Sequence, residues 1–140
     1  MKKSVRTVLF VLVLSALILS ACGGGGTAKP QSDIPTAYAG KTNPLAADPN
    51  AATAGKDIYD TTCAACHGPG GKGDGPAGKS LTPPASDLTK VVATAGDDYL
   101  FYRISEGGAM DPYNSSMPAQ KNALSEDEIW QVVTYIKTLK

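Results

Sequence analysis

The sequence predicts a small all-helical domain, and three observations carry that prediction. Segments 54–65, 99–106 and 125–139 place apolar residues at helical spacing, with polar residues between them. The stretches joining them are rich in glycine and proline, and no hydrophobic strand flanks any of them. The part with this patterning, Ala54 to Lys140, is about 87 residues, and the whole chain holds only two Phe, one Trp and six Tyr. That is marginal for a core built from side chains alone, so a bound apolar group is expected to complete it.

The first helix, Ala54 to Ala65, places Gly55, Ile58, Tyr59 and Thr62 on one face and leads into Cys63-Ala64-Ala65-Cys66-His67. Cys-x-x-Cys-His is the spacing of a c-type haem attachment site. Thiols three residues apart stand one helical turn apart, as bonding to the two vinyl groups of one haem requires. The following imidazole, His67, then lies under the iron. His67 is the single histidine of the chain, and Cys63 and Cys66 are two of three cysteines. Three other uses of such a cluster fit less well. A structural zinc ion wants four ligands in two spaced pairs. A thioredoxin-like dithiol wants a strand-helix-strand setting. A disulfide across a two-residue spacer is strained.

Gly68 to Lys79 holds six glycines and two prolines in twelve residues, which forbids a regular element. It lacks the Gly-Lys-Ser/Thr ending of a phosphate loop and no strand precedes it, so it reads as chain wrapped closely around the haem's proximal side. Leu81 to Leu88 is extended, with Asp87 at the start of a short helix, Leu88 to Ala93. Asp97 or Asp98 is expected to cap a helix from Tyr99 to Glu106, ended by Gly107-Gly108, with Leu100, Phe101 and Ile104 inward. Ser125 opens the last helix, and Glu128 three residues on makes a capping box. Ile129, Trp130, Val132, Val133, Ile136 and Leu139 form its apolar face.

A carrier haem needs a sixth ligand, and the chain has no second histidine. Met110, Met117, a lysine or nothing can fill that role. A thioether is a soft ligand that raises the potential. Pro118 stiffens the chain beside Met117 and nothing comparable follows Met110, which favours Met117; both methionines as core filler is the bland alternative.

Upstream, Lys2, Lys3 and Arg6 precede an apolar run from Val8 to Leu19, too short for an ordinary membrane span. Leu19-Ser20-Ala21-Cys22 resembles the lipobox of bacterial lipoproteins, which implies a signal peptide over 1–21 and a lipid on Cys22. Two acyl chains anchor a protein stably where one does not. A plain secretory signal or an uncleaved anchor helix is the alternative, and either way the chain is expected to be exported. The three cysteines are then all used, one for lipid and two for haem. Residues 22–53 read as lipidated cysteine and flexible linker, with a reach of roughly 30 Å. Loss of Lys2, Lys3 and Arg6 leaves 13 − 3 = 10 basic against 13 acidic residues, a net −3. No basic patch suggests nucleic acid.

The domain resembles class I c-type cytochromes of the bacterial monohaem type, across about Gly55 to Leu139. The resemblance rests on Cys63-Ala64-Ala65-Cys66-His67-Gly68-Pro69, Gly71-Lys72-Gly73-Asp74-Gly75-Pro76, Leu81-Thr82-Pro83-Pro84, Met117-Pro118-Ala119 and Leu124-Ser125-Glu126-Asp127-Glu128-Ile129-Trp130, in that order. It implies the all-α cytochrome c fold, with crossed first and last helices around one covalent haem c. Gly55 and Tyr59 would meet Val132 and Tyr135 at the crossing. It implies thioethers from Cys63 and Cys66, and axial ligands His67 and Met117. Gln120 departs from the aromatic residue many relatives carry there.

The expected function is single-electron transfer between redox protein partners of a respiratory or photosynthetic chain, on the exported face of a membrane. Gly23 after Cys22 lacks the aspartate associated with inner-membrane retention. A monohaem subunit of a larger membrane complex is the alternative. A haem enzyme is disfavoured by Met117-Pro118 and by the absence of a second histidine for acid–base work.

Overall fold

The computed structural model describes residues 34–140. Within them the regular structure is entirely helical: α1 (Pro49–Thr62), α2 (Ala64–His67), α3 (Leu88–Val92), α4 (Asp97–Glu106) and α5 (Glu126–Ile136). No helix among the described residues is long and apolar enough to cross a membrane. The targeting segment 1–21 and Cys22 lie outside the described residues.

Helices α1 and α5 form the principal pair, the crossing the resemblance implied. Gly55 makes it possible: a Cβ there would stand 2.0 Å from the Gln131 carbonyl oxygen and 3.0 Å from the Val132 nitrogen. One turn on, the Tyr59 and Tyr135 rings pack with centroids 5.1 Å apart. Helix α4 closes the core, with Phe101 stacked on Trp130 at 4.1 Å. Tyr59, Leu100, Phe101, Ile104, Ile129, Trp130, Val132, Val133 and Ile136 form the buried cluster, which includes every inward residue expected of α4 and all but Leu139 of α5. Leu139 packs at its edge, half-exposed.

The capping box at α5 is complete: Ser125 Oγ accepts from the Glu128 amide, and Glu128 accepts from the Ser125 amide. Asp87 caps α3 through the Thr89 amide. At α4 the expectation needs correction. The N-cap is Gly96, and Asp97 and Asp98 lie in the first turn, where their charge still favours the helix N-terminus. Asp97 is thereby free to accept from the Asn43 amide at 3.0 Å and to pair with Lys137.

Helix α1 begins at Pro49, inside the segment 22–53 that reads as linker. Asp48 caps α1 by accepting from the Asn50 amide, and Pro49 occupies the first turn, where its missing N–H costs nothing. Residues 35–48 lie as a strap over α4 and α5. Tyr38 packs on Phe101 and Tyr102 and donates its hydroxyl to Glu106. Asn43, buried, donates to the Trp130 carbonyl at 3.3 Å and the Thr134 hydroxyl at 2.8 Å. These bonds satisfy polar groups that composition alone gave no reason to place in a fold.

Candidate haem site

The motif occupies the junction of α1 and α2. Cys63 ends the first helix and begins the second, its amide donating to the Tyr59 carbonyl at 2.8 Å. Its own carbonyl accepts from Cys66 at 3.1 Å and His67 at 2.9 Å, so one helical turn fixes both thiols and the imidazole relative to each other. Both thiols are free and half-buried. Burial, then the neighbouring Cys66 thiol, pushes the Cys63 thiol up to about 11, so it is protonated at neutral pH. Among the described residues no group of three or more His, Cys, Asp or Glu side chains comes together that could hold a metal ion.

His67 is set by its surroundings. Its Nδ1 lies 3.0 Å from the Ser86 carbonyl oxygen. A carbonyl only accepts, so Nδ1 carries the proton and Nε2 keeps a free lone pair. Burial lowers the His67 pKa, more than the Ser86 contact raises it, which holds the imidazole neutral. This is the form that binds a metal, and the Ser86 carbonyl fixes the orientation of its ring.

The glycine-rich loop folds back over the motif, as expected. The Gly73 amide donates to the His67 carbonyl at 2.9 Å, Ala77 to Ala65 at 3.0 Å, and Leu88 to Gly71 at 2.6 Å. Gly68 leaves the motif at φ +78°, a conformation side chains disfavour. Its carbonyl accepts from the buried Tyr59 hydroxyl at 2.7 Å, tying the motif to the helix crossing.

Met117 lies in the chain between α4 and α5, half-buried against the core cluster that Cys63 also borders. Its carbonyl accepts from the Gly108 amide at 2.9 Å. Met110 is engaged elsewhere: its sulfur accepts from Arg103 Nη1 at 3.8 Å. Leu88, Val91, Val92, Ala95 and Tyr99 are further half-buried apolar side chains packed against that core cluster. Two adjacent thiols and an imidazole with Nε2 available fit the attachment of a covalent haem, and the Met117 thioether borders the same core cluster as Cys63. Sequence reasoning missed the Ser86 carbonyl, a backbone group that no residue type advertises, and Arg103.

The fold and motif together define a covalent haem protein. Residues 52–140 match the family model described as Cytochrome c, and the chain belongs to that family. Its cofactor is one covalently bound haem c. The chain is 35% identical over 91 residues to cytochrome c-554(547) of Halothiobacillus neapolitanus, a match covering 64% of this chain and 97% of that protein. It is 33% identical over 101 residues to the cytochrome c subunit of the quinone alcohol dehydrogenase of Gluconacetobacter polyoxogenes, covering 69% of this chain and 20% of that subunit. Among solved structures, cytochrome cL of Methylophaga aminisulfidivorans superposes with a TM-score of 0.53 at 26% identity, over 69% of this chain and 60% of that one.

Proposed function

We propose that this protein is a single-electron carrier of the exported face of a membrane, held there by lipid on Cys22. In it Cys63 and Cys66 would hold the haem through thioethers, and His67 and Met117 would supply the ligands of its iron. The observation that carries the reading is the 3.0 Å contact of His67 Nδ1 with the Ser86 carbonyl oxygen, which leaves Nε2 available as a ligand. Met117 is the better second ligand, because Pro118 stiffens its chain and the Met110 sulfur is already on Arg103.

Haem c bound here supplies a ferric–ferrous couple. The chain's part is to keep both ligands in place in either state, which keeps reorganisation small. The Cys63 carbonyl and the Ser86 carbonyl fix the position and rotation of His67. Gly108 fixes the backbone of Met117. With the only imidazole serving as a ligand, no other histidine is present to act as an acid or base, which supports a carrier over an enzyme.

A potentiometric titration tests the reading. One reversible one-electron wave, with no spectral change under carbon monoxide, is expected. A haem that binds carbon monoxide readily would overturn it in favour of an open-site enzyme. A second reading, a cytochrome subunit of a larger oxidoreductase, is favoured by the likeness to the quinone alcohol dehydrogenase subunit. Extraction in mild detergent separates the two: a carrier runs alone and a subunit co-purifies stoichiometrically with its dehydrogenase or oxidase.

A further inference from the structure

We propose that Arg103 is the positioning residue that clamps the Met117 segment, through its contacts with the loop at residues 107, 110 and 113 and the bond of the Gly108 amide to the Met117 carbonyl. This rests on the reading of Met117 as an iron ligand. Arg103 lies in the last turn of α4, half-buried. Its Nη1 donates to the Gly107 carbonyl at 2.6 Å, where a cation also suits the helix C-terminus. The same nitrogen reaches the Met110 sulfur at 3.8 Å, and the guanidinium carbon lies 3.5 Å from the centre of the Tyr113 ring. One side chain therefore holds the loop at residues 107, 110 and 113.

Met117 joins this clamp at Gly108. A Cβ placed on Gly108 would stand 2.0 Å from the Ser115 hydroxyl oxygen, 3.1 Å from Arg103 Nη2 and 3.3 Å from Met117 Cβ, so glycine leaves the room in which these three side chains converge. The Gly108 amide binds the Met117 carbonyl at 2.9 Å, and the Ser115 amide binds the Gly108 carbonyl at 2.7 Å. Met117 is thus registered on Gly108, and Gly108 is backed by the guanidinium. Lysine cannot replace this arrangement, because the planar fork both stacks on Tyr113 and donates to the Gly107 carbonyl.

Imidazole competes with a methionine for ferric iron, so its affinity reports how firmly Met117 is held. In the holoprotein, Arg103→Gln is expected to tighten imidazole binding at least tenfold and weaken the near-infrared methionine–iron band. Arg103→Lys should tighten it at least threefold. Ser125→Ala, which removes the α5 cap and none of the Arg103 contacts, should leave imidazole affinity within twofold of wild type. The proposal is overturned if Arg103→Gln binds imidazole within twofold of wild type, or if Ser125→Ala tightens it equally. If Arg103→Gln does not yield folded holoprotein, the threefold criterion for Arg103→Lys decides. Failure of the ligand reading looks different: the wild type would then lack the near-infrared band, and Met117→Ala would leave the spectrum unchanged.

Discussion

Replacing Gly55 by alanine tests the helix crossing on which the whole site hangs. The new Cβ would lie 2.0 Å from the Gln131 carbonyl oxygen, against an ordinary contact of 3.4 Å or more, so α1 and α5 must part by about 3.4 − 2.0 = 1.4 Å. The obstruction is helix backbone, which has no rotamer to move. A gap of 0.5–1 Å already forfeits about a quarter to a half of a dispersion contact. Tyr59, Val132 and Val133 are the side chains packed most completely at this interface, at 0%, 1% and 0% exposure. Burial of each is worth about 2 kcal/mol, so losing half of three such contributions costs about 3 kcal/mol. Alanine returns about 1 kcal/mol of helix propensity. The net loss is about 2 kcal/mol, within the range measured for overpacked cores. In a domain of this size that lowers Tm by roughly 10 °C. Guanidinium and thermal unfolding of the holoprotein, followed by far-ultraviolet circular dichroism, measures it. Stability within about 0.5 kcal/mol of wild type, or a gain, would refute the reasoning.

Tyr59→Phe leaves the Gly68 carbonyl without its buried donor and is expected to cost about 1–3 kcal/mol in the same unfolding assay. Lys121 first, and then Tyr38, hold the Glu106 carboxyl below its ordinary value. A depressed carboxyl contributes stability that is present above its unfolded pKa and lost as pH falls through the folded one. Wild-type stability should therefore decline below about pH 4.5, and Glu106→Gln should flatten that part of the profile in unfolding titrations. Expressed without haem attachment, the domain should be largely unfolded by circular dichroism, and a folded apo-domain would contradict the role of the haem in completing the core.

Much of the molecule was legible because its signals are local. Ser125 and Glu128, Asp87, and the Cys63-to-His67 spacing each act within one turn of chain, so their residue types declare their roles. The strap was not legible. Tyr38 and Asn43 stand among alanine, glycine and proline, and their partners Glu106, Trp130 and Thr134 lie 68 to 91 residues away. Asp48-Pro49 did carry a helix-start signal, masked by the prolines around it. At α4 either aspartate could cap by residue type, and the tertiary bonds of Asp97 to Asn43 and Lys137 decided otherwise. Within the site, the Ser86 carbonyl and the Arg103 clamp depend on loop paths that no spacing rule supplies.

The central claim is that His67 and Met117 would be the two protein ligands of the iron of one covalent haem. Near-infrared and visible spectra of the ferric protein and two variants test it most directly. The account predicts a methionine–iron band in the wild type, its loss with conversion to high-spin iron in Met117→Ala, and its retention in Met110→Ala. Loss of the band in Met110→Ala with retention in Met117→Ala, or a wild type already high-spin, would contradict it.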